Sequence, residues 1–157
     1  MLTIKRALEE DAAEITGLAA VTFRDDNKLK PEGACMEGPP GHDSVETQRK
    51  WIQSCYYYKA VLDGKIIGAC LVWKKSGDEY VIDGMLVHPD FQNYGYGQQI
   101  MNHVLNEHKP VKKWTLSTPG FSGRNHHFYE KLGFVKVKET EVPELGWSEF
   151  HYEKRMP

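Results

Sequence analysis

Hydrophobic positions along the chain alternate between extended and helical spacing. Leu2-Thr3-Ile4-Lys5 alternates and predicts a short strand. Ala12, Ile15, Ala19 and Phe23 then recur at spacings of three and four behind Glu9, Glu10 and Asp11. Acids in the first turn and that periodicity predict an amphipathic helix. Residues 25–43 break the pattern, because Pro31, Gly33, Gly38, Pro39, Pro40 and Gly41 crowd into them, so a long loop is expected. Asp43 and Glu46 resemble a capping box, which predicts a second helix from near Ser44 to about Tyr57. The period then changes. Residues 59–62 and 66–73 flank Asp63-Gly64, a strong hairpin signal. Lys75-Ser76-Gly77-Asp78 makes a second turn, and residues 80–87 a third strand, ending at His88-Pro89.

The later half reads as strand and helix units. Two glycines, Gly95 and Gly97, lead from that strand into a helix with Ile100, Met101, Val104 and Leu105 on one face, ending near Lys109-Pro110. Trp114-Thr115-Leu116-Ser117 predicts a strand, residues 119–123 a loop, and residues 125–132 a short helix closed by Gly133. Residues 134–138 and 147–154 predict the last strands. With no repeat and no linker, residues 1–157 read as a single mixed α/β domain, antiparallel strands first.

Composition adds exclusions. The net charge is −2, so no basic surplus points to nucleic acid or an anionic membrane. No run approaches the roughly 18 apolar residues of a membrane span. The N-terminus turns acidic too early for a signal peptide. Cys35, Cys55 and Cys70 are an odd, scattered set, neither a disulfide framework nor a metal knuckle, which fits free thiols in the cytoplasm.

The strand-to-helix turn carries the chemistry. A helix start leaves amides without partners, and its dipole end is positive. Glycines let backbone approach an anion, so residues 93–98 could cradle a phosphate or pyrophosphate. A dinucleotide fingerprint would need Gly at position 100, which is Ile100, and a P-loop would need Lys after Gly97, which Gln98 replaces. On spacing alone, a tight turn without a ligand remains open.

Gln92-Asn93-Tyr94-Gly95-Tyr96-Gly97, after a strand ending Leu86-Val87-His88-Pro89, resembles the acetyl-coenzyme A loop of the GNAT superfamily of N-acetyltransferases. Asn125-His126-His127-Phe128-Tyr129-Glu130-Lys131-Leu132-Gly133-Phe134 resembles that superfamily's late Asn…Phe-Tyr-x-x-x-Gly-Phe segment. The resemblance spans nearly the whole chain. It implies a mixed, mostly antiparallel sheet of six to seven strands, with splayed central strands and about four helices. It implies acetyl transfer from acetyl-coenzyme A to a primary amine by direct attack. Backbone of Leu86 and Val87 would meet pantetheine, Gln92, Asn93, Tyr94, Gly95, Tyr96, Gly97 and Gln98 the pyrophosphate, and Asn125 and Phe128 the cofactor arm. A non-catalytic coenzyme A-binding module is the alternative.

Amine acetylation needs a neutral amine, a donor for the oxyanion and a proton for the leaving thiolate. Tyr129 stands where the superfamily often places a phenol beside the sulfur; packing against the last strands is its other role. Asp83 matches the position of a Glu that draws the amine proton through water in some relatives. His88 reads as a turn former. His126 or His127 could approach the site. His103 and Glu107 lie four apart on a helix face expected to be solvated, so no metal site is expected. Trp51 with Tyr56-Tyr57-Tyr58, expected at the end of the second helix, and Trp73 and Trp147 on strands could pack or line an acceptor pocket. Residues 20–58, with Arg24, Asp25, Asp26, Glu32, Glu37 and Asp43, would set the acceptor, and a cationic amine fits their mildly acidic character. Dimerisation through the late strands is compatible with the sequence.

Overall fold

The structure, a computed structural model, describes residues 1–26, 28 and 40–157. Strand β1 (Thr3–Arg6) leads through a 3-10 turn into α1 (Ala12–Asp26), and α2 (Val45–Ser54) precedes β2 (Tyr56–Leu62), β3 (Lys65–Lys74) and β4 (Glu79–Val87). Helix α3 (Tyr96–Glu107), β5 (Lys113–Pro119), α4 (Gly123–Lys131), β6 (Val135–Val142) and β7 (Trp147–Arg155) follow. The seven strands form one sheet in the order β1-β2-β3-β4-β5-β7-β6. All neighbours are antiparallel except β4 and β5. This is the mixed, mostly antiparallel sheet expected from the sequence.

Two cores sandwich the sheet. Ile15, Leu18 and Ala19 of α1 and Ile52 of α2 pack on Tyr57, Ala69, Leu71 and Leu86. Ile100, Met101 and Val104 of α3 pack on the other face with Cys70, Val72, Ile82, Trp114 and Tyr129. Helix α3 comes so close to β3 that a Cβ on Gly68 would lie 2.7 Å from Ile100 Cδ1 and 3.0 Å from the Leu86 carbonyl.

Three boundaries differ from expectation. Helix α1 continues through Arg24, Asp25 and Asp26, because both aspartates have a cationic partner on α4. Helix α2 stops at Ser54, and the three tyrosines open β2, where Tyr57 and Tyr58 are buried on opposite faces. The α2 cap is Ser44, whose Oγ accepts from the Thr47 amide at 3.2 Å, so the Asp43–Glu46 box is displaced by one residue. The expected loop centre, with Pro31, Glu32, Gly33, Cys35, Glu37, Gly38 and Pro39, lies outside the described residues. Among the described residues, no helix is long and apolar enough to cross a membrane.

Candidate active site

The β4–β5 ladder is short. It pairs Glu79 with Lys113, Tyr80 with Trp114, Val81 with Thr115 and Ile82 with Leu116, and then stops. The next residue of β4 is Asp83, which has no partner on β3 either: Leu71 faces Gly84 and Val72 faces Ile82. One extra residue on one strand is a β-bulge, which bends the strand and re-aims side chains. Tyr80 and Ile82 therefore face the α3 core, whereas Gly84 and Leu86 face α1 and α2. Beyond the bulge the two strands separate, and a splay opens between residues 83–87 and 117–119.

Backbone polarity in the splay follows from alternation. The His88 amide donates to the Ile67 carbonyl at 2.8 Å, so His88 faces β3. Two residues back, the N–H and C=O of Leu86 face β3 as well, and those of Met85 and Val87 face the splay. This divides the expected Leu86–Val87 pair: Val87 offers its backbone to the opening, and Leu86 contributes a buried side chain to the wall. The Val87 carbonyl accepts from Gln92 Nε2 at 2.9 Å.

At the splay's mouth a 3-10 turn (Pro89–Phe91) delivers the chain to α3. His88 shapes it, its Nδ1 accepting from the Asp90 amide at 3.1 Å. Asn93 (φ 68°) and Gly95 (φ 84°) both adopt left-handed backbone. The first helical bond runs from the Gln99 amide to the Gly95 carbonyl. Among the described residues, the amides of 93–98 have no backbone acceptor. Amides gathered at a helix start form an anion cradle. A Cβ on Gly95 would point into open space, whereas one on Gly97 would lie 3.0 Å from the Phe128 ring. Gly97 thus lets α4 close on α3, and Gly95 keeps the cradle open.

Helix α4 brings three residues to the same region. Asn125 Nδ2 donates to Thr118 Oγ1 on β5 at 3.2 Å. Phe128 packs edge-on against Tyr129, with centroids 5.2 Å apart. Tyr129 is buried among Phe128, Phe134 and Tyr152. Burial, with lesser contributions from Cys70 and Asp26, raises its pKa well above the ordinary phenol value. The phenol therefore stays protonated, a donor at any physiological pH.

Asp83 lines a cavity of about 230 Å³ on the α1–α2 face, with Phe23, His42, Trp51, Tyr57, Leu71 and Gly84 among its walls. Trp73 Nε1 donates to its carboxylate at 3.2 Å. Asp83 is exposed at the rim of the cavity, and the desolvation it feels against the wall raises its pKa while the indole N–H lowers it, the first being larger. Of the expected aromatic cluster, Trp51 and Tyr57 reach this cavity, and Tyr57 donates to Gln48 Oε1 at 2.7 Å. Tyr56 and Tyr58 gather in the core on the opposite face of the sheet, with Tyr80 and His108. Trp147 packs on Phe121. His126 stacks on Phe150 and its Nε2 meets the Pro119 carbonyl, while His127 is exposed. Among the described residues, no three His, Cys, Asp or Glu side chains converge as metal ligands.

Arg124 is absent from the sequence-derived set. It contacts Gln92 Oε1 of the cradle and both Asp25 and Asp26 at the end of α1. A cation in the first turn of α4 opposes the helix dipole. That mismatch was the one signal that Arg124 serves a partner outside its own helix.

The β4–β5 pair thus splays beyond Ile82 and Leu116, with an amide cradle at its mouth and Tyr129 buried on α4. The sequence profile of the acetyltransferase (GNAT) domain matches residues 53–136, and the chain belongs to that family. A curated N-acetyltransferase of Oceanobacillus iheyensis, itself uncharacterized, is 31% identical over 74 residues, 47% of this chain and 42% of the relative. The match thus spans under half of that relative's length. Among solved structures, PaiA N-acetyltransferase from Thermoplasma acidophilum in complex with coenzyme A superposes with a TM-score of 0.81 at 17% identity, over 99% of both chains. YncA from Salmonella typhimurium with its cofactor acetyl-CoA superposes with a TM-score of 0.77 at 13% identity, over 100% of this chain and 95% of the other. At these identities the likeness is one of fold.

Proposed function

We propose that the protein transfers an acetyl group from acetyl-coenzyme A to a primary amine by direct attack in a ternary complex. The observation that carries this reading is the splay. It opens at the Asp83 bulge, presents the backbone of Val87 inward, and ends at the amides of 93–98, which have no backbone acceptor among the described residues. A pyrophosphate fits the cradle in charge and donor geometry, and Asn125 and Phe128 flank the arm that would run inward. The inward amides of Met85 and Val87 are donors for a thioester oxygen. Tyr129 supplies a protonated phenol to the leaving sulfur. Asp83 opens on the α1–α2 cavity, the side from which an acceptor reaches the splay, and its raised pKa makes it a better proton acceptor than an ordinary carboxylate. Asp83 and the aromatic walls of that cavity favour a cationic amine. Solved relatives holding coenzyme A or acetyl-CoA on this fold support the choice of donor.

Gly95→Val tests the cradle. The new side chain projects into the open space beside the cradle amides, at a left-handed position that is strained for a β-branched residue. Each hydrogen bond to a charged group is worth roughly 1.5–3 kcal/mol, so losing several should weaken coenzyme A binding by at least about 3 kcal/mol. Calorimetry showing unchanged affinity in a folded variant would overturn the assignment.

A further inference from the structure

Ser117, His151 and Thr140 form a hydrogen-bonded line across three strands. Ser117 Oγ lies 2.7 Å from His151 Nδ1 on β7. Thr140 Oγ1 on β6 lies 2.9 Å from His151 Nε2. Ser117 is the first residue of β5 beyond the stretch paired with β4, just as Asp83 is the first of β4 beyond the stretch paired with β5. Leu116 and Thr118 are buried and Ser117 is exposed, so its side chain lies on the face opposite the α3 core. Val81 and Thr115 share that face, and Asp83 and Ser117 are the next positions along it. A carboxylate and a hydroxyl thus flank the opening of the splay from opposite strands.

We infer that Ser117 is a second proton-handling residue for the acceptor, with His151 the base behind it and Thr140 the residue that fixes the imidazole. This rests on the acetyl-transfer reading above. An ammonium acceptor must lose two protons to become an amide. One leaves before the nitrogen attacks. The other leaves the nitrogen after the N–C bond has formed, and the C–S bond then breaks. Asp83 takes the first proton. Ser117 Oγ takes the second as its own proton passes to His151 Nδ1. Of these two protons, one replaces the proton that Tyr129 gives to the thiolate, and the other goes to solvent. The imidazolium then donates from Nδ1 to Ser117 and from Nε2 to Thr140, so both N–H groups have acceptors.

Charged groups on its own and the neighbouring strands surround the imidazole. Glu149 and Glu153 lie two residues away on β7, on the same strand face. Lys138 is its register partner on β6, Lys113 of β5 is paired to Glu153, and Asp83 stands across the splay.

The test is the pH profile of kcat/KM with an amine acceptor for wild type, Ser117→Ala, Ser117→Thr and His151→Gln, alongside coenzyme A calorimetry. Ser117→Ala and His151→Gln should lower kcat by roughly 10²-fold near neutral pH, the low end for a positioned acid or base, and the loss should shrink as pH rises. Ser117→Thr should keep most activity, and coenzyme A affinity should hold throughout. Profiles superimposable on wild type, or a coenzyme A affinity that falls with activity, would overturn the relay alone. A wild-type protein that binds coenzyme A and acetylates no amine would overturn the acetyl-transfer reading, and the relay with it.

Discussion

Tyr129 is held by its ring. Phe128, Phe134 and Tyr152 surround it, and among the described residues its hydroxyl has no hydrogen-bond partner. That oxygen is not among the buried side-chain atoms left without a partner, which among the described residues are Trp114 Nε1 and Ser122 Oγ, so it opens on unfilled space where a partner can arrive with the cofactor. Tyr129→Phe keeps the ring, so the melting temperature should hold while kcat falls by roughly 10²–10⁴. Wild-type turnover in that variant would remove Tyr129 from the chemistry. Asp83 carries a different signature. Its folded pKa is raised above the ordinary 3.8, so its contribution to stability is fully present below that value and is lost as pH rises through the folded pKa. Ionised Asp83 is therefore a cost at neutral pH. Asp83→Asn should gain stability relative to wild type as pH rises from about 4, while activity falls. Denaturant midpoints across that range check the sign, and a variant equally stable at every pH would contradict it. Both residues were legible in the sequence, as a phenol in a late motif and an acid inside an apolar strand. Arg124, Ser117 and His151 were not. Their partners lie far along the chain, Asp26 by 98 positions and His151 by 34, where no local spacing rule reaches.

Elements defined by local signals were the readable ones. Asp63 and Gly64 take left-handed backbone between β2 and β3, as a two-residue hairpin requires. The glycine turn before α3 was likewise visible. The splay was expected only through the family resemblance, and the bulge at Asp83 that opens it was not readable, since a bulge exists only relative to partner strands. The α2–β2 boundary failed for a related reason: Tyr57 and Tyr58 could extend a helix, but burial on both faces of the sheet overrides that preference. Packing of α3 on β3 gives the element-scale prediction. Gly68→Val would push a side chain into Ile100 and the Leu86 carbonyl, and the carbonyl cannot rotate away. Stability should fall by about 1–3 kcal/mol, with weaker coenzyme A binding, because Leu86 adjoins the splay. A variant as stable as wild type would show that α3 is free to move off the sheet.

At the scale of the molecule, on the proposed reading, donors for an anion lie at one end of the splay and proton acceptors on one face of it. The chain from Asp26 through Arg124 and Gln92 to the Val87 carbonyl ties the end of α1 to the cradle. On the same reading, that chain links the acceptor side of the site to the cofactor side. The central claim is acetyl transfer to an amine, and one measurement reaches it directly. Purified protein with acetyl-coenzyme A and a panel of amines, including a small cationic amine and a peptide N-terminus, is assayed for thiol release and for the acetylated product by mass spectrometry. The account predicts thiol release that depends on an amine and matches the N-acetylated product in amount. Tight coenzyme A binding with no acetylated product from any amine would contradict it.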